Sequence, residues 1–105
     1  MVPQISPQTA ARWLAEGAAV LLDVREPMEL QLASVAGALH VPMRTIPARL
    51  SELDPARRYA VMCHHGVRSH HVAAYLLQAG FADVHNVAGG IDAWASTVDP
   101  GVGVY

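Results

Sequence analysis

The sequence predicts an α/β domain on a mostly parallel sheet. Three observations carry this. Short continuous apolar runs such as "AAVLLDVR" and "RYAVMC" stop at a charge or a turn, as strands covered on both faces do. Segments with helical spacing and helix punctuation alternate with those runs. The length, 105 residues, allows one core and not two, so residues 1–105 are expected to form a single domain, with about 97–105 as an extended tail.

Each element has its own justification. In "SPQTAARWLAEG" Ser6 suits the cap, Pro7 the first helical position and Gly17 the exit, with Ala10, Trp13 and Leu14 on one face. "AAVLLDVR" is then a buried strand that ends near Asp23 and Arg25. "EPMELQLA" reads as a short helix opened by Pro27, "ALHVP" as a short strand closed by Pro42, and "IPARLSEL" as helical through Ile46, Leu50 and Leu53. "RYAVMC" is a second buried strand and delivers Cys63 to its C-terminal edge. "SHHVAAYLLQAG" is a helix with Val72, Ala73, Leu76 and Leu77 inward and Gly80 past its end. "DVHNV" is a third strand, "GGIDAW" begins a helical turn, and "TVDPGVGVY" is a Pro/Gly-rich ending.

Composition narrows the function. A chain 52% hydrophobic and 15% charged has the material for a folded core. A formal net charge of −2 gives no basic surface for nucleic acid or an anionic membrane, and neither is an expected partner. Every basic side chain is arginine, which excludes Schiff-base chemistry and a P-loop lysine. One cysteine forms no internal disulfide, the N-terminus lacks the pattern of a secretory leader, and no apolar run is long enough to span a bilayer. The cytoplasm is the expected compartment.

The stretch "CHHGVRS", residues 63–69, carries the chemistry. A strand that turns into a helix within a few residues makes the amides of Gly66, Val67, Arg68 and Ser69 converge, because nothing inside the helix accepts from its first N–H groups. Such a ring, with the helix dipole and Arg68, lowers a thiol pKa and suits an anion. A lone cysteine is more often inert packing, but its position at a strand end, before a glycine turn and a helix start, favours a nucleophile. In open α/β sheets ligands bind outside the carboxyl ends of the strands, where Asp23, Arg25 and Cys63 fall.

The chain resembles the rhodanese-like sulfurtransferases in their small single-domain form. The likeness lies in "LLDVRE", "GALHVP", "VMCHHGVRS", "AAYLLQAGF" and "VHNVAGGIDAW", in that order along almost the whole chain. It implies a three-layer domain whose mainly parallel five-stranded sheet is flanked by helices on both faces, with "PQIS" adding an edge strand. It also implies a mechanism. Cys63 takes a sulfane sulfur from thiosulfate or a persulfide and passes it to a nucleophilic acceptor, while His64, His65, Gly66, Val67 and Arg68 form the cradle. From Cys63 to Arg68 the loop is C-x4-R; related phosphatases and arsenate reductases have C-x5-R, a wider ring for a tetrahedral oxyanion. A non-catalytic binding or redox-sensing module is the alternative reading.

Other residues keep two readings each. His64 and His65 either tune the thiol and meet the donor or turn outward as polar loop residues, and because histidine is only partly cationic near neutral pH a persulfide donor is favoured over dianionic thiosulfate. Arg25 either faces a substrate anion or forms a buried ion pair with Asp23. Adjacent histidines and a lone cysteine have no metal-ligand spacing, so no metal or other cofactor is expected. Gly89 and Gly90 suit a tight turn beside the loop. Where relatives carry Gly-His-Ile, this chain has Ala33, Ser34 and Val35, which puts the local hydrogen bonding in question. The ending "GGIDAWASTVDPGVGVY" is similar to rhodanese domains fused behind enzymes that activate sulfur carriers. A sulfur-carrier protein or a cysteine desulfurase is therefore an expected partner, and a monomer or weak dimer the expected assembly.

Overall fold

The computed structural model describes residues 1–105. Five strands run β1 (Gln4–Ile5), β2 (Val20–Asp23), β3 (Leu39–His40), β4 (Arg58–Met62) and β5 (Asp83–Val87). Their order in the sheet is β1-β5-β4-β2-β3, and every neighbouring pair is parallel. The helices are α1 (Pro7–Ala15), α2 (Pro27–Leu32), α3 (Ile46–Arg49), α4 (Val67–Gln78) and α5 (Gly90–Thr97). The expected edge strand is present: β1 pairs with β5 through Gln4 opposite Asn86 and Ile5 opposite Val87.

Alternation along the strands sorts the core into two layers. Tyr59, Val61 and Cys63 join Leu22, Val24 and Val84 beneath Val72, Ala73 and Leu76 of α4. Ala60 and Met62 face the other way, with Leu21 and Val87, against Ala10 of α1 and Ile91 and Trp94 of α5. Cys63 thus continues the odd-numbered face of β4 one residue past the strand, and its side chain is delivered to the start of α4.

Local chemistry explains most boundaries. Ser6 caps α1 by accepting from the Thr9 N–H at 3.1 Å, and Pro7 opens the helix. The segment "IPARLSEL" is less regular than its spacing predicts: a 3-10 turn at Met43–Thr45, α3, and a second 3-10 turn at Leu50–Glu52 share it. α4 starts at Val67, two residues ahead of the apolar pattern, because Gly66 adopts a left-handed conformation and turns the chain into the helix at once. The tail corrects an expectation. Instead of running on extended, residues after α5 form a 3-10 turn at Pro100–Val102 and fold back, with the Ser34 N–H donating to Val102 O at 2.9 Å. That bond answers the question raised by Ala33 and Ser34, since the tail supplies pairing to this stretch.

Candidate active site

β4 sits inside the sheet, between β5 and β2, and Cys63 follows it directly. The side chain is 1% exposed. Its sulfur accepts from the Gly66 N–H at 3.1 Å and touches Ser69 Oγ at 3.3 Å. Burial pushes the thiol up, but the Ser69 hydroxyl and the backbone N–H groups of Ser69, Gly66 and His65 outweigh it and hold the thiol below its ordinary value. The N–H groups of Val67 and Arg68 open α4 and have no partner within it. Of the residues expected to form the cradle, Gly66 and His65 turn N–H groups to the sulfur, and Ser69, outside that set, joins them.

The loop's carbonyls are gripped from the opposite layer. Cys63 O accepts from Ile91 N at 2.9 Å and His64 O from Asp92 N at 3.1 Å, both in the first turn of α5. The Gly89–Gly90 pair makes this approach possible, as expected: a Cβ on Gly90 would collide with the carbonyl oxygens of Cys63 and His64. Gly66 has the same need for φ of +101°, with Gly89 N and Val87 O close by.

Arg68 does not present a free charge. Its guanidinium makes two hydrogen bonds, at 2.8 and 2.9 Å, to the two carboxylate oxygens of Glu29 in α2. Glu29 also accepts from its own helix start, Glu26 N–H at 2.8 Å, and from the Tyr105 hydroxyl at 2.6 Å. Arg68, above all, with Tyr105 and the Glu26 amide, holds the Glu29 carboxyl down at about 2 against the opposing effect of burial. The same carboxylate raises Arg68 above its usual value.

Arg25 corrects the substrate-facing expectation. It is 0% exposed and every donor is engaged internally. Asp23 takes Nε and Nη2, the closest contact being 2.7 Å; Ala33 O takes Nη2; and the Tyr105 hydroxyl takes Nη1 at 3.0 Å. The buried ion pair is the reading that fits, with no face of the guanidinium open to an anion.

The two histidines differ. His64 lies between the rings of His65 and Tyr105, each 3.8 Å away, with its Nε2 buried and without a partner. His65 is exposed, with Nε2 4.0 Å from Asp92 Oδ2. His64, His65 and Asp92 bring ligand atoms within 4.8 Å of one another.

Sequence reasoning missed three residues of this site, Glu29, Asn86 and Tyr105, and of Ser69 it named the amide but not the hydroxyl. Ser69 Oγ lies 2.5 Å from Asn86 Oδ1, and Asn86 Nδ2 donates to Gly66 O at 3.0 Å. Glu29 alone left a trace, since E-P-x-E is a helix-start pattern whose last carboxylate turns back toward the loops.

A parallel sheet that presents a cysteine at the end of a central strand, within backbone amides that open the next helix, defines a class of α/β domains built for a sulfur nucleophile. The chain belongs to the rhodanese-like family: the model of the Rhodanese-like domain matches residues 6–97. A sulfurtransferase of Allochromatium vinosum is 41% identical over 96 residues, spanning 90% of both chains. The thiosulfate sulfurtransferase GlpE of Pseudomonas syringae pv. syringae is 36% identical over 91 residues, 87% of this chain and 86% of that one. Among solved structures, the rhodanese-related protein of Thermoplasma volcanium superposes with a TM-score of 0.83 at 31% identity, covering 91% of this chain and 93% of its own. Rhodanese-type sulfur transfer is the general chemistry these relatives support.

Proposed function

We propose that this chain is a sulfurtransferase of one domain, working in the cytoplasm, in which Cys63 carries a sulfane sulfur. The observation that carries the reading is the hydrogen bond from the Gly66 N–H to the Cys63 sulfur at 3.1 Å, in a six-residue loop that runs directly into α4. In the loading step the Cys63 thiolate attacks the outer sulfur of the donor. With thiosulfate a Cys63 S–S bond forms, the donor's S–S bond breaks and sulfite leaves with the electron pair; with a persulfide the leaving group is a thiolate. The new anionic sulfur meets fixed amide donors that need no reorganisation. In the second step a nucleophilic acceptor, cyanide or a thiol, that of a protein acceptor included, attacks that outer sulfur; a new bond to the acceptor forms, the persulfide S–S bond breaks, and Cys63 leaves as the thiolate.

Charge around the loop favours a persulfide donor. Arg68 is neutralised by Glu29 and Arg25 by Asp23, and the two other side chains of the loop that can carry positive charge are histidines. A compact dianion such as thiosulfate meets little net positive charge there, whereas the persulfide group of a donor brings a single charge to the loop. The test is intact-mass analysis after incubation with thiosulfate, glutathione persulfide or a cysteine desulfurase supplied with cysteine. One added sulfur atom is expected, greatest with the persulfide sources and absent in Cys63→Ser. An unchanged mass with all three sinks the reading.

A further inference from the structure

Ser69 has one hydroxyl hydrogen and two neighbours that compete for it. Its Oγ lies 3.3 Å from the Cys63 sulfur and 2.5 Å from Asn86 Oδ1. The orientation of the Asn86 amide is fixed by its other contacts: Nδ2 donates to Gly66 O and to Gln4 Oε1, both at 3.0 Å. Gln4 is fixed in turn, its Nε2 lying 3.3 Å from His70 Nδ1. The Asn86 oxygen that faces Ser69 therefore only accepts. Ser69, Asn86 and Cys63 are all buried, with Ser69 at 0% exposure, so solvent does not supply a second donor.

We propose that Asn86 is a positioning residue for sulfur transfer, holding the Ser69 hydroxyl hydrogen away from the Cys63 sulfur in the resting thiol and yielding it only when the sulfur becomes anionic. In the thiol state Cys63 S–H donates to Ser69 Oγ, and Ser69 donates to Asn86. When the thiol proton leaves to solvent, a hydrogen bond to the charged sulfur is roughly twice as strong as a neutral one, so the hydroxyl turns to the sulfur and Asn86 Oδ1 is left without a donor. That loss opposes ionisation. Resting on the sulfur-transfer reading above, loading reverses the turn: the negative charge moves to the outer sulfur and its amides, the Cys63 sulfur becomes neutral, and the hydroxyl returns to Asn86. Asn86 thus favours both the thiol and the persulfide over the empty thiolate.

The other groups around the sulfur act separately. They are Arg68 of α4 with Glu29 of α2 behind it, His64 and His65 of the loop, Asp92 of α5 against His65, and Tyr105 of the tail. None of them hydrogen-bonds Ser69 or Asn86; only His70 reaches this chain, through Gln4.

The experiment is a double-mutant cycle on the pH dependence of iodoacetamide alkylation of Cys63, using wild type, Ser69→Ala, Asn86→Leu and the double variant. Asn86→Leu is expected to lower the alkylation midpoint by about half a pH unit or more, because a freed hydroxyl then serves the thiolate. In the Ser69→Ala background the same substitution is expected to leave the midpoint in place. A rise on Asn86→Leu, or an equal shift in both backgrounds, overturns the proposal, since it means that Asn86 only braces Gly66. Should Asn86→Leu fail to fold, Ser69→Ala decides alone. A midpoint rise of less than about half a pH unit supports the competition, because what the hydroxyl gives the thiolate is offset by the Asn86 bond it leaves, and a larger rise overturns it, because it marks a hydroxyl donating freely to the thiolate. Alkylation requires no sulfur donor, so a protein that loads no sulfur refutes the sulfur-transfer reading while the cycle still decides the role of Asn86.

Discussion

Glu29 is the most informative residue to perturb, because one carboxylate joins α2, the loop helix and the tail. Its carboxyl is held at about 2 instead of 4.5. At about 1.4 kcal/mol for each pH unit, that difference links roughly 3 kcal/mol of folding stability to its ionisation. The Arg68 side chain is 32% exposed, and solvent screening reduces the usable figure to roughly 2 kcal/mol. The sign follows from the direction. A depressed folded-state value means that the contribution is fully present above 4.5 and is lost as pH falls from there through about 2. By pH 3.5 about 1 kcal/mol should be gone, since the unfolded carboxyl is by then mostly protonated while the folded one is not. The assay is urea denaturation of wild type and Glu29→Gln at intervals from pH 7 to pH 3.5. Wild type should be the more stable at neutral pH by roughly 2 kcal/mol, and the gap should narrow by about half at the acid end. Parallel curves over that range would refute the account, because they would mean that the Glu29 charge is not coupled to folding.

Two further perturbations follow from the same geometry. Arg25→Met leaves Asp23 buried beside no counter-charge and is expected to cost about 3–5 kcal/mol, read as a thermal melt, with Asp23→Leu in the same chain restoring much of the loss; a changed KM with unchanged stability would instead return Arg25 to the substrate. Gly90→Ala drives a methyl into the carbonyls of Cys63 and His64 and strains a residue at φ of +60°, so Cys63 alkylation at neutral pH should slow several-fold and stability should fall by about 2 kcal/mol or more, whereas Gly17→Ala, at a φ of +67° but with open space around it, should lose stability alone.

What the sequence made legible was local or periodic. Ser6, Pro7 and Gly66 act within a few residues of their partners, and alternation along "RYAVMC" places Cys63 on the α4 side without any knowledge of the rest of the chain. The loop amides were legible for the same reason, since a strand that meets a helix across a glycine leaves them no other direction. The remainder of the site is made by contacts between distant segments. Arg68 meets Glu29 across 39 residues, Ser69 meets Asn86 across 17, and Tyr105 meets Glu29 across 76. Nothing in the neighbourhood of any of these residues encodes its partner. The two readings of Arg25 stayed open in the sequence for a related reason. The end of a buried strand looks open in sequence, but here the end of α2 supplies the Ala33 carbonyl and the returning tail the Tyr105 hydroxyl to close over it.

The five residues after the strand are clasped between two helix starts that belong to opposite layers, α4 facing the sulfur with its amides and α5 holding the carbonyls behind. A backbone pinned from both sides has no slack with which to adapt to a new donor. What can still move at the rim are side chains, those of 64 and 65 and the ring of Tyr105 that the folded-back segment lays 3.8 Å from His64, so the mouth above the sulfur is shaped by contacts between distant segments instead of by the loop's own backbone.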